Sequence, residues 1–214
     1  MTYDEKKRWD SYFFENEKVL KNKLNIHDPI ELKKIEYEVV AKRNVLLCLS
    51  DEYRIFDINH LKYIHKFLFE DIYPFAGEFR NVNIGKDEKA SFVDYNDIEI
   101  NLNNILSDLD NKLINKSTSK FFYAEGLANI YKLLLDVHPF REGNGRTIRE
   151  FLREYVKQNN DKNNEYYYEL DFNLSKEEKE LLDKATKSDI NGYLVIIFNK
   201  MLKMKEKKLS NVKK

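Results

Sequence analysis

The chain contains 214 residues, of which 35% are charged and 42% hydrophobic, a composition typical of one globular domain. Its 37 basic and 37 acidic residues cancel, so we expect no general basic face and no direct nucleic-acid binding. No apolar run approaches the roughly 20 residues that a membrane span requires and no signal peptide is visible, so we expect no membrane association and a cytoplasmic location.

Apolar residues recur mostly at helical spacing, and the chain has only 6 glycines and 3 prolines. This pattern predicts a mainly α fold. The first clear helix begins at Asp28-Pro29, where the aspartate can cap the helix and proline suits its first position. A second helix is expected after Asp57, with His65 among the residues of its apolar side.

A turn and a short hairpin interrupt the helical pattern. Residues 73–78 read YPFAGE, and the proline and glycine in this stretch favour a turn. The next residues alternate in part, can turn at 85–88 and can then return. This pattern predicts a β-hairpin over residues 79–93.

Helical patterns resume after the hairpin. One helix is predicted from about Asp97 to Leu113, and another begins near Thr118 or Ser119 and runs directly into His138. Beyond a loop, apolar residues fall at positions i, i+3, i+4, i+7 and i+8. This spacing predicts an amphipathic helix whose apolar face is formed by Ile148, Phe151, Leu152, Tyr155 and Val156.

The C-terminal part of the chain is also predicted to be mainly helical. Three consecutive tyrosines at 166–168 can form an extended segment. Residues 175–178 read SKEE, which matches a capping box. Helices are therefore expected over residues 175–206.

The stretch from His138 to Arg149 reads HPFREGNGRTIR and joins two of these helices. Its glycines at 143 and 145 permit positive φ and a close approach of the backbone to a bound group. The start of the following helix offers unpaired N–H groups and a favourable dipole, so the expected guest is an anion. Arg146 and Arg149 lie three residues apart on one helix face and together could hold a di- or triphosphate.

Two further side chains of this stretch can take part in chemistry. Glu142 could hold Mg²⁺, which usually takes one or two carboxylates plus phosphate oxygens. A neutral imidazole at His138 could accept a proton from an attacking hydroxyl. Each feature alone has a simpler reading: a structural histidine, an ion-paired glutamate, a plain turn, or arginines facing water. Their occurrence within 12 residues favours nucleotide chemistry, whereas the other histidines show no spacing that supports zinc.

The stretch resembles the signature of the Fic family, H-P-F-x-[D/E]-G-N-G-R-x-x-R, at every specified position. The resemblance extends to residues 20–23, to residues 73–78 with Arg80, and to the predicted hairpin. These segments are similar to the adenylyl-transferring Fic domains of bacterial toxins and secreted effectors. The resemblance covers residues from about 12 to 160, and the C-terminal helices match only loosely.

The family resemblance implies a fold and an activity. The fold would be a helical bundle with one small β-hairpin, the flap, beside the signature loop. One Fic domain would span residues 1–214, with its core at about 12–160 and C-terminal helices at 175–206. The activity would be transfer of AMP from ATP to a Tyr, Ser or Thr hydroxyl of a target protein, with Mg²⁺ bound and pyrophosphate leaving.

The resemblance also implies a role for each signature residue. His138 would be the base and Glu142 the metal ligand. Phe140 would pack beneath the loop as an anchor. The remaining positions would bind the triphosphate. Gly143, Asn144 and Gly145 would form an anion hole for the α- and β-phosphates. Arg146 would contact the β-phosphate, and Arg149 would contact the γ-phosphate.

The resemblance implies that the protein target binds on the hairpin at 79–93, where Phe92 or Ile84 could clamp a side chain of the target. Either residue could instead only pack against the rest of the hairpin. A relative that transfers phosphate instead carries Lys at the position of Gly145, so glycine there favours AMP transfer. Three alternatives stay open: another phosphodiester donor, removal of AMP from a target, and an inactive nucleotide- or partner-binding module.

A regulatory pattern precedes the core. Many Fic domains are blocked by a helix bearing [S/T]-x-x-x-E-[G/N], and Ser11 to Asn16 fits this pattern. We therefore expect Glu15 to reach Arg149 and restrain the enzyme in cis. The alternative is that this segment is the ordinary lead-in of an uninhibited toxin, in which case a separate antitoxin would be the restraint.

Overall fold

The computed structural model describes residues 2–49, 54–85, 92–107, 109–113, 119–160, 166–187 and 191–206. These ranges are mostly helical, as predicted. The elements are α1 (Tyr3–Ser11), α2 (Pro29–Cys48), α3 (Ile58–Phe69), a 3-10 turn (Tyr95–Asp97), α4 (Ile98–Leu106), α5 (Leu109–Leu113), α6 (Lys120–Val137), α7 (Asn144–Gln158), β1 (Tyr166–Leu170), α8 (Lys176–Lys187), α9 (Asn191–Met201) and β2 (Leu202–Glu206).

Several predicted helix boundaries are confirmed by their capping contacts. The Asp28 side chain accepts hydrogen bonds from the N–H groups of Ile30 and Glu31, and Asp57 caps α3 in the same manner. At α8 the predicted capping box is present, because Ser175 and Glu178 exchange side-chain-to-backbone hydrogen bonds. These caps supply acceptors and donors for helix ends that would otherwise lack them.

Two features of the N-terminal half differ from the sequence prediction. Helix α1 was not predicted; it is capped by Thr2 and Glu5 but buries no residue fully, so it lacks the apolar stripe that reveals a helix. The single helix predicted to run from Asp97 to Leu113 is instead α4 and α5. Helix α4 ends at Leu106, and its C-cap is Ser107, a residue type that favours helix ends over helix interiors.

The predicted helix at the C-terminus ends earlier than expected. Helices α8 and α9 are present, but residues 202–206 form β2, so the prediction of helix as far as residue 206 is wrong. Strand β2 pairs antiparallel with β1, with Leu202 opposite Leu170 and Glu206 opposite Tyr166. Its sequence LKMKE alternates apolar and charged residues, which suits a strand. The extended segment predicted at 166–168 is confirmed.

The chain divides into two compact units. The first comprises Met1–Ser107 with Leu134–Phe151, and contains all the predicted site residues; its fully buried side chains include Leu61, Ile64, Leu68, Phe69, Ile72, Leu102, Phe140, Ile148 and Phe151. The second comprises Asp108–Leu133 with Leu152–Lys214, and it buries Leu113, Leu127, Leu152, Leu194, Phe198 and Leu202. The expectation of one Fic domain over 1–214 stays a prediction. No helix in the described ranges is long and apolar enough to cross a membrane.

Candidate active site

The candidate site is the signature loop, residues 138–143, between the end of α6 and the start of α7. Two of its residues have positive φ: His138 at 49° and Gly143 at 80°. Residues other than glycine adopt this conformation infrequently, so surrounding contacts must hold His138 in place. Those contacts come from segments distant in the sequence.

Arg80 is buried and holds the start of the loop. Its guanidinium donates to the carbonyls of Val137 (3.2 Å) and His138 (2.8 Å), and also to those of Val82 (2.7 Å) and Val93. Its backbone N–H donates to the Pro139 carbonyl at 2.9 Å. Burial lowers the pKa of Arg80 from its ordinary value. The side chain therefore ties the loop to both ends of the predicted hairpin.

The arms of the predicted hairpin contact the loop directly. The ring of Phe92 stacks on that of His138, with centroids 3.8 Å apart, and its backbone N–H donates to the Ile84 carbonyl at 3.2 Å. Residues 86–91 lie outside the described ranges. The first arm is not a regular strand in the described residues, since the Arg80 N–H pairs with the loop rather than with the second arm. Phe92 is thereby placed against the candidate base.

His65 on α3 holds the other end of the loop. Its Nδ1 accepts a hydrogen bond from the Gly77 N–H at 2.7 Å, so its Nε2–H donates to the Glu142 carbonyl at 3.0 Å. Its ring lies parallel to that of Phe140 at 3.9 Å. From the sequence, His65 was only one member of an apolar helix face. Its role in orienting the peptide between Glu142 and Gly143 was missed.

Buried polar side chains brace the turn into α7. Asn144 closes a ring with Phe140: its amide oxygen accepts from the Phe140 N–H and its amide nitrogen donates to the Phe140 carbonyl, both at 2.8 Å. The Thr147 hydroxyl donates to the Gly143 carbonyl at 3.1 Å. Phe140 is fully buried, as expected of a residue that anchors the loop by packing beneath it. The Asn144 side chain therefore braces the loop, and its part in an anion hole would be taken by its backbone N–H.

Arg146 lies at the mouth of the turn between two carboxylates. Its Nη1 is 2.5 Å from Oε1 of Glu36, a residue of α2, and its Nη2 is 3.5 Å from Oε1 of Glu142. The guanidinium carbon also lies 4.7 Å from the centre of the Phe69 ring. Glu142 accepts a hydrogen bond from the Gly143 N–H at 2.9 Å. The loop thus brings the predicted metal ligand and one predicted phosphate ligand together.

The family model described as Fic/DOC family matches residues 55–156. A probable protein adenylyltransferase Fic of Escherichia coli strain K12 is 30% identical over 145 residues, which cover 68% of this chain and 71% of that protein. The chain belongs to the Fic family. The protein adenylyltransferase VbhT of Bartonella schoenbuchensis is 34% identical over 140 residues, 65% of this chain but only 29% of VbhT.

The fold of this Fic chain is also that of solved relatives. The crystal structure of the BepC protein from Bartonella tribocorum, with bound AMPPNP, superposes with a TM-score of 0.79 at 23% identity, and covers 92% of this chain and 98% of that one. The mainly helical Fic fold predicted from the sequence is confirmed. The predicted enzyme class agrees with the names of the curated relatives.

Glu15 does not contact Arg149 in this structure. Ser11 is the last residue of α1, and the segment beyond it forms a turn closed by the bridge between Phe13 and Leu20. Glu15 lies exposed on this turn and has no hydrogen bond or ion pair within the described ranges. The regulatory pattern is therefore not on a helix here, and inhibition through Glu15 stays a prediction.

The end of helix α1 and the two residues after it contact the signature loop through Arg141, the first variable position of the signature. The guanidinium carbon of Arg141 lies 5.0 to 5.6 Å from the ring centres of Trp9, Tyr12 and Phe13. Such cation–π contacts are attractive, more so where water is excluded. Burial lowers the pKa of Arg141. The aromatic N-terminal segment is therefore part of the support of the loop.

We expect Gly143→Ala to destabilise the protein by about 2 to 4 kcal/mol. The backbone at this residue has φ of +80°, and an added Cβ would lie 2.4 Å from Cζ of Phe69. Alanine therefore brings both backbone strain and overlap with a buried ring. Urea denaturation followed by circular dichroism would measure the loss.

Gly192→Ala is the matched control for this change. Gly192 lies in α9, and an added Cβ there would meet nothing within 4 Å. Alanine should be neutral or stabilise the helix by up to about 1 kcal/mol. Equal stabilities of the two variants would show that Gly143 is not conformationally required.

The pH dependence of stability should report on His65. Burial lowers the pKa of His65 from its ordinary 6.5 to about 4. Between these values the unfolded chain binds a proton that the folded chain excludes. The stabilisation is therefore complete above pH 6.5 and falls by about 3 kcal/mol as the pH drops to 4.

His65→Gln should reduce the pH dependence of the unfolding free energy by this amount, because glutamine does not titrate. Urea denaturation of both proteins from pH 7 to pH 4 would measure the difference. His27→Gln serves as the control, since His27 is exposed and pairs with Glu17. Identical slopes for wild type and His65→Gln would contradict a neutral, buried His65.

Proposed function

We propose that this chain transfers AMP from ATP to a hydroxyl side chain of a protein and releases pyrophosphate. The observation that carries the proposal is the single loop in which His138, Glu142 and the start of α7 are held by buried contacts from Arg80 and His65. The curated relatives named protein adenylyltransferases support the reaction type. The AMPPNP bound to BepC supports ATP as the donor.

The proposed reaction begins with His138. Its imidazole accepts the proton of the target hydroxyl, and the hydroxyl oxygen forms a bond to the α-phosphorus of ATP. The bond between that phosphorus and the oxygen bridging to the β-phosphate breaks, and pyrophosphate leaves. The stack on Phe92 holds the imidazole ring in place. This fixed position matters because phosphoryl-type transfer depends mainly on positioning and charge stabilisation.

The triphosphate would be bound by the start of α7. The N–H groups at 143–145 lie at the helix N-terminus, where the dipole favours negative charge. Arg146 would contact the β-phosphate and Arg149 the γ-phosphate. Both arginines are partly exposed, so a ligand can reach them. Gly145 places no side chain over this turn, which favours AMP transfer over phosphate transfer.

The residues present fit Mg²⁺ held jointly by protein and substrate. Among the described residues, no group of three or more His, Cys, Asp or Glu side chains could form a metal cage. Glu142 supplies one carboxylate, 43% exposed, beside the proposed phosphate site. One carboxylate with phosphate oxygens is a common arrangement for Mg²⁺. When bound, the ion would neutralise charge on the phosphates.

The protein target is proposed to dock on residues 79–93. An extended target segment added beside this stretch would be oriented by backbone hydrogen bonds, a mode that demands little sequence specificity. Phe92 already lies against His138, so a segment docked there would bring its hydroxyl near the base. Ile84, joined to Phe92 by a backbone hydrogen bond, is the second candidate clamp.

Incubation with ATP, Mg²⁺ and bacterial lysate, followed by mass spectrometry, tests the proposal. Proteins carrying an adenylyl group on Tyr, Ser or Thr should appear with the wild type and be absent with His138→Asn. Adenylylation that is independent of the added enzyme, or another added group such as phosphate, would contradict the proposed reaction.

Regulation is proposed to act by blocking Arg149, either through Glu15 after rearrangement of the turn that carries it or through a separate antitoxin. Glu15→Gly should raise self-adenylylation in the first case, because the carboxylate that competes with the γ-phosphate is removed. Glu17→Gly, on the same turn, is the control. An unchanged rate for Glu15→Gly would exclude restraint by Glu15 and favour the antitoxin.

A further inference from the structure

Glu36 is a buried carboxylate whose position is set by two partners. It lies on α2, more than 100 residues before the signature, and its side chain is only 11% exposed. One of its oxygens, Oε1, is 2.5 Å from Nη1 of Arg146, and the other accepts a hydrogen bond from the Tyr73 hydroxyl. Both oxygens are therefore engaged.

The Tyr73 hydroxyl acts as a fixed donor in this arrangement. Tyr73 is buried, and its ring stacks on that of Phe75 at 4.9 Å. Burial raises the pKa of Tyr73, and the adjacent carboxylate of Glu36 raises it further, so the phenol keeps its proton. A buried carboxylate is costly unless paired and hydrogen-bonded, and Tyr73 and Arg146 meet that need together.

The opposite side of the Arg146 guanidinium is held less firmly. Its Nη2 lies 3.5 Å from Glu142, a long contact to a side chain that is 43% exposed. Phe69 covers one face of the guanidinium at 4.7 Å. Arginine has five N–H donors in a rigid fork, so one edge can stay on Glu36 while another binds phosphate. The phosphate would replace the long contact to Glu142 and leave Glu142 for the metal.

We propose that Glu36 is a positioning residue that orients Arg146 for the β-phosphate of the nucleotide. It acts through Arg146 and does not touch the substrate. This role rests on the proposed function, in which Arg146 binds that phosphate. Tyr73 supports the same orientation from behind the carboxylate.

The test compares binding of AMP, ADP and ATP, each with Mg²⁺, by isothermal titration calorimetry. Glu36→Gln should weaken the binding of ADP and ATP about tenfold, because a charge-assisted contact that fixes Arg146 is lost. Binding of AMP, which has no β-phosphate, should change less than about twofold. Tyr73→Phe should show the same selectivity with a smaller effect. Glu38→Gln, exposed on the same helix, should bind all three nucleotides as the wild type does.

A second comparison separates orientation of Arg146 from general damage to the fold. In an Arg146→Ala background, Glu36→Gln should cause no further loss of ADP affinity, since the group that it orients is absent. If Glu36→Gln does not fold, as judged by circular dichroism, Tyr73→Phe carries the same test.

Each other outcome overturns the proposal. Equal losses for AMP and ADP would show that Glu36 only stabilises the fold, and unchanged ADP binding would show that it does not orient Arg146. Tighter ADP binding in Glu36→Gln would show that Glu36 competes with phosphate. Failure of the wild type to bind any nucleotide would instead refute the proposed function, and the role of Glu36 with it.

Discussion

Replacing His138 is expected to slow AMP transfer by about 10²- to 10⁴-fold, the usual contribution of a general base. The backbone of His138 has φ of 49°, so asparagine is the better substitute because it tolerates this conformation. His138→Asn should therefore keep the loop intact and remove only the base. Initial rates of self-adenylylation would measure the loss.

Nucleotide binding distinguishes a lost base from a damaged loop. His138→Asn should bind ADP with nearly the affinity of the wild type, since the phosphates are assigned to the start of α7 and its arginines. His27→Asn is the control for a histidine outside the loop; His27 stacks on Phe14 and pairs with Glu17. A normal rate in His138→Asn would refute the assignment of the base.

Arg80→Met is expected to lower the free energy of unfolding by on the order of 3 kcal/mol or more. The four carbonyls that now accept hydrogen bonds from the buried guanidinium would lose their donor. For a chain of this length the melting temperature should fall by about 6 to 12 °C. Arg80→Lys should recover only part of this loss, because one ammonium group cannot reach all four carbonyls.

Arg43→Met is the matched control for the loss of an arginine. The Arg43 side chain is 21% exposed and pairs with Glu70 and Asp71, which are more exposed still. Ion pairs of this kind usually contribute no more than about 1 kcal/mol. Similar destabilisation by Arg43→Met and Arg80→Met would contradict a special role for the buried guanidinium.

The candidate site could be located from the sequence because its reactive residues are contiguous. The stretch from His138 to Arg149 carries glycine, histidine, glutamate and arginine at fixed spacing, and the helices on either side of the signature loop show clear apolar periodicity. The periodicity that begins at Ile148 predicts α7, which starts one turn earlier, at Asn144. Asp28 and Asp57 marked two further helix starts for the same reason, since a cap and its helix are neighbours in the chain.

The supports of the loop could not be predicted in this way, because they come from distant segments. Arg80 precedes His138 by 58 residues, and His65 precedes Glu142 by 77. Glu36 looked like one more charged residue of α2. Periodicity assigns a residue to a face, but it does not say which backbone group that face will meet.

Local sequence patterns also gave wrong secondary-structure predictions where contacts with distant segments decide the structure. Residues 202–206 follow directly on the apolar pattern of α9, and the helix was expected to include them, yet they form β2 because they pair with β1. Helix α1 has no fully buried residue and no regular apolar stripe; its Trp9 contacts Arg141, as does Phe13 just beyond the helix. The six-residue match around Glu15 predicted a helix, whereas the segment forms a turn.

The most direct test of AMP transfer at the signature loop is to measure which phosphate of ATP supplies the phosphorus that becomes bound to protein. Wild-type protein should be incubated with Mg²⁺ and ATP labelled either at the α- or at the γ-phosphate, alongside His138→Asn. Protein-bound label should appear only from α-labelled ATP and only with the wild type. Label from γ-labelled ATP, or equal labelling by His138→Asn, would contradict AMP transfer by this loop.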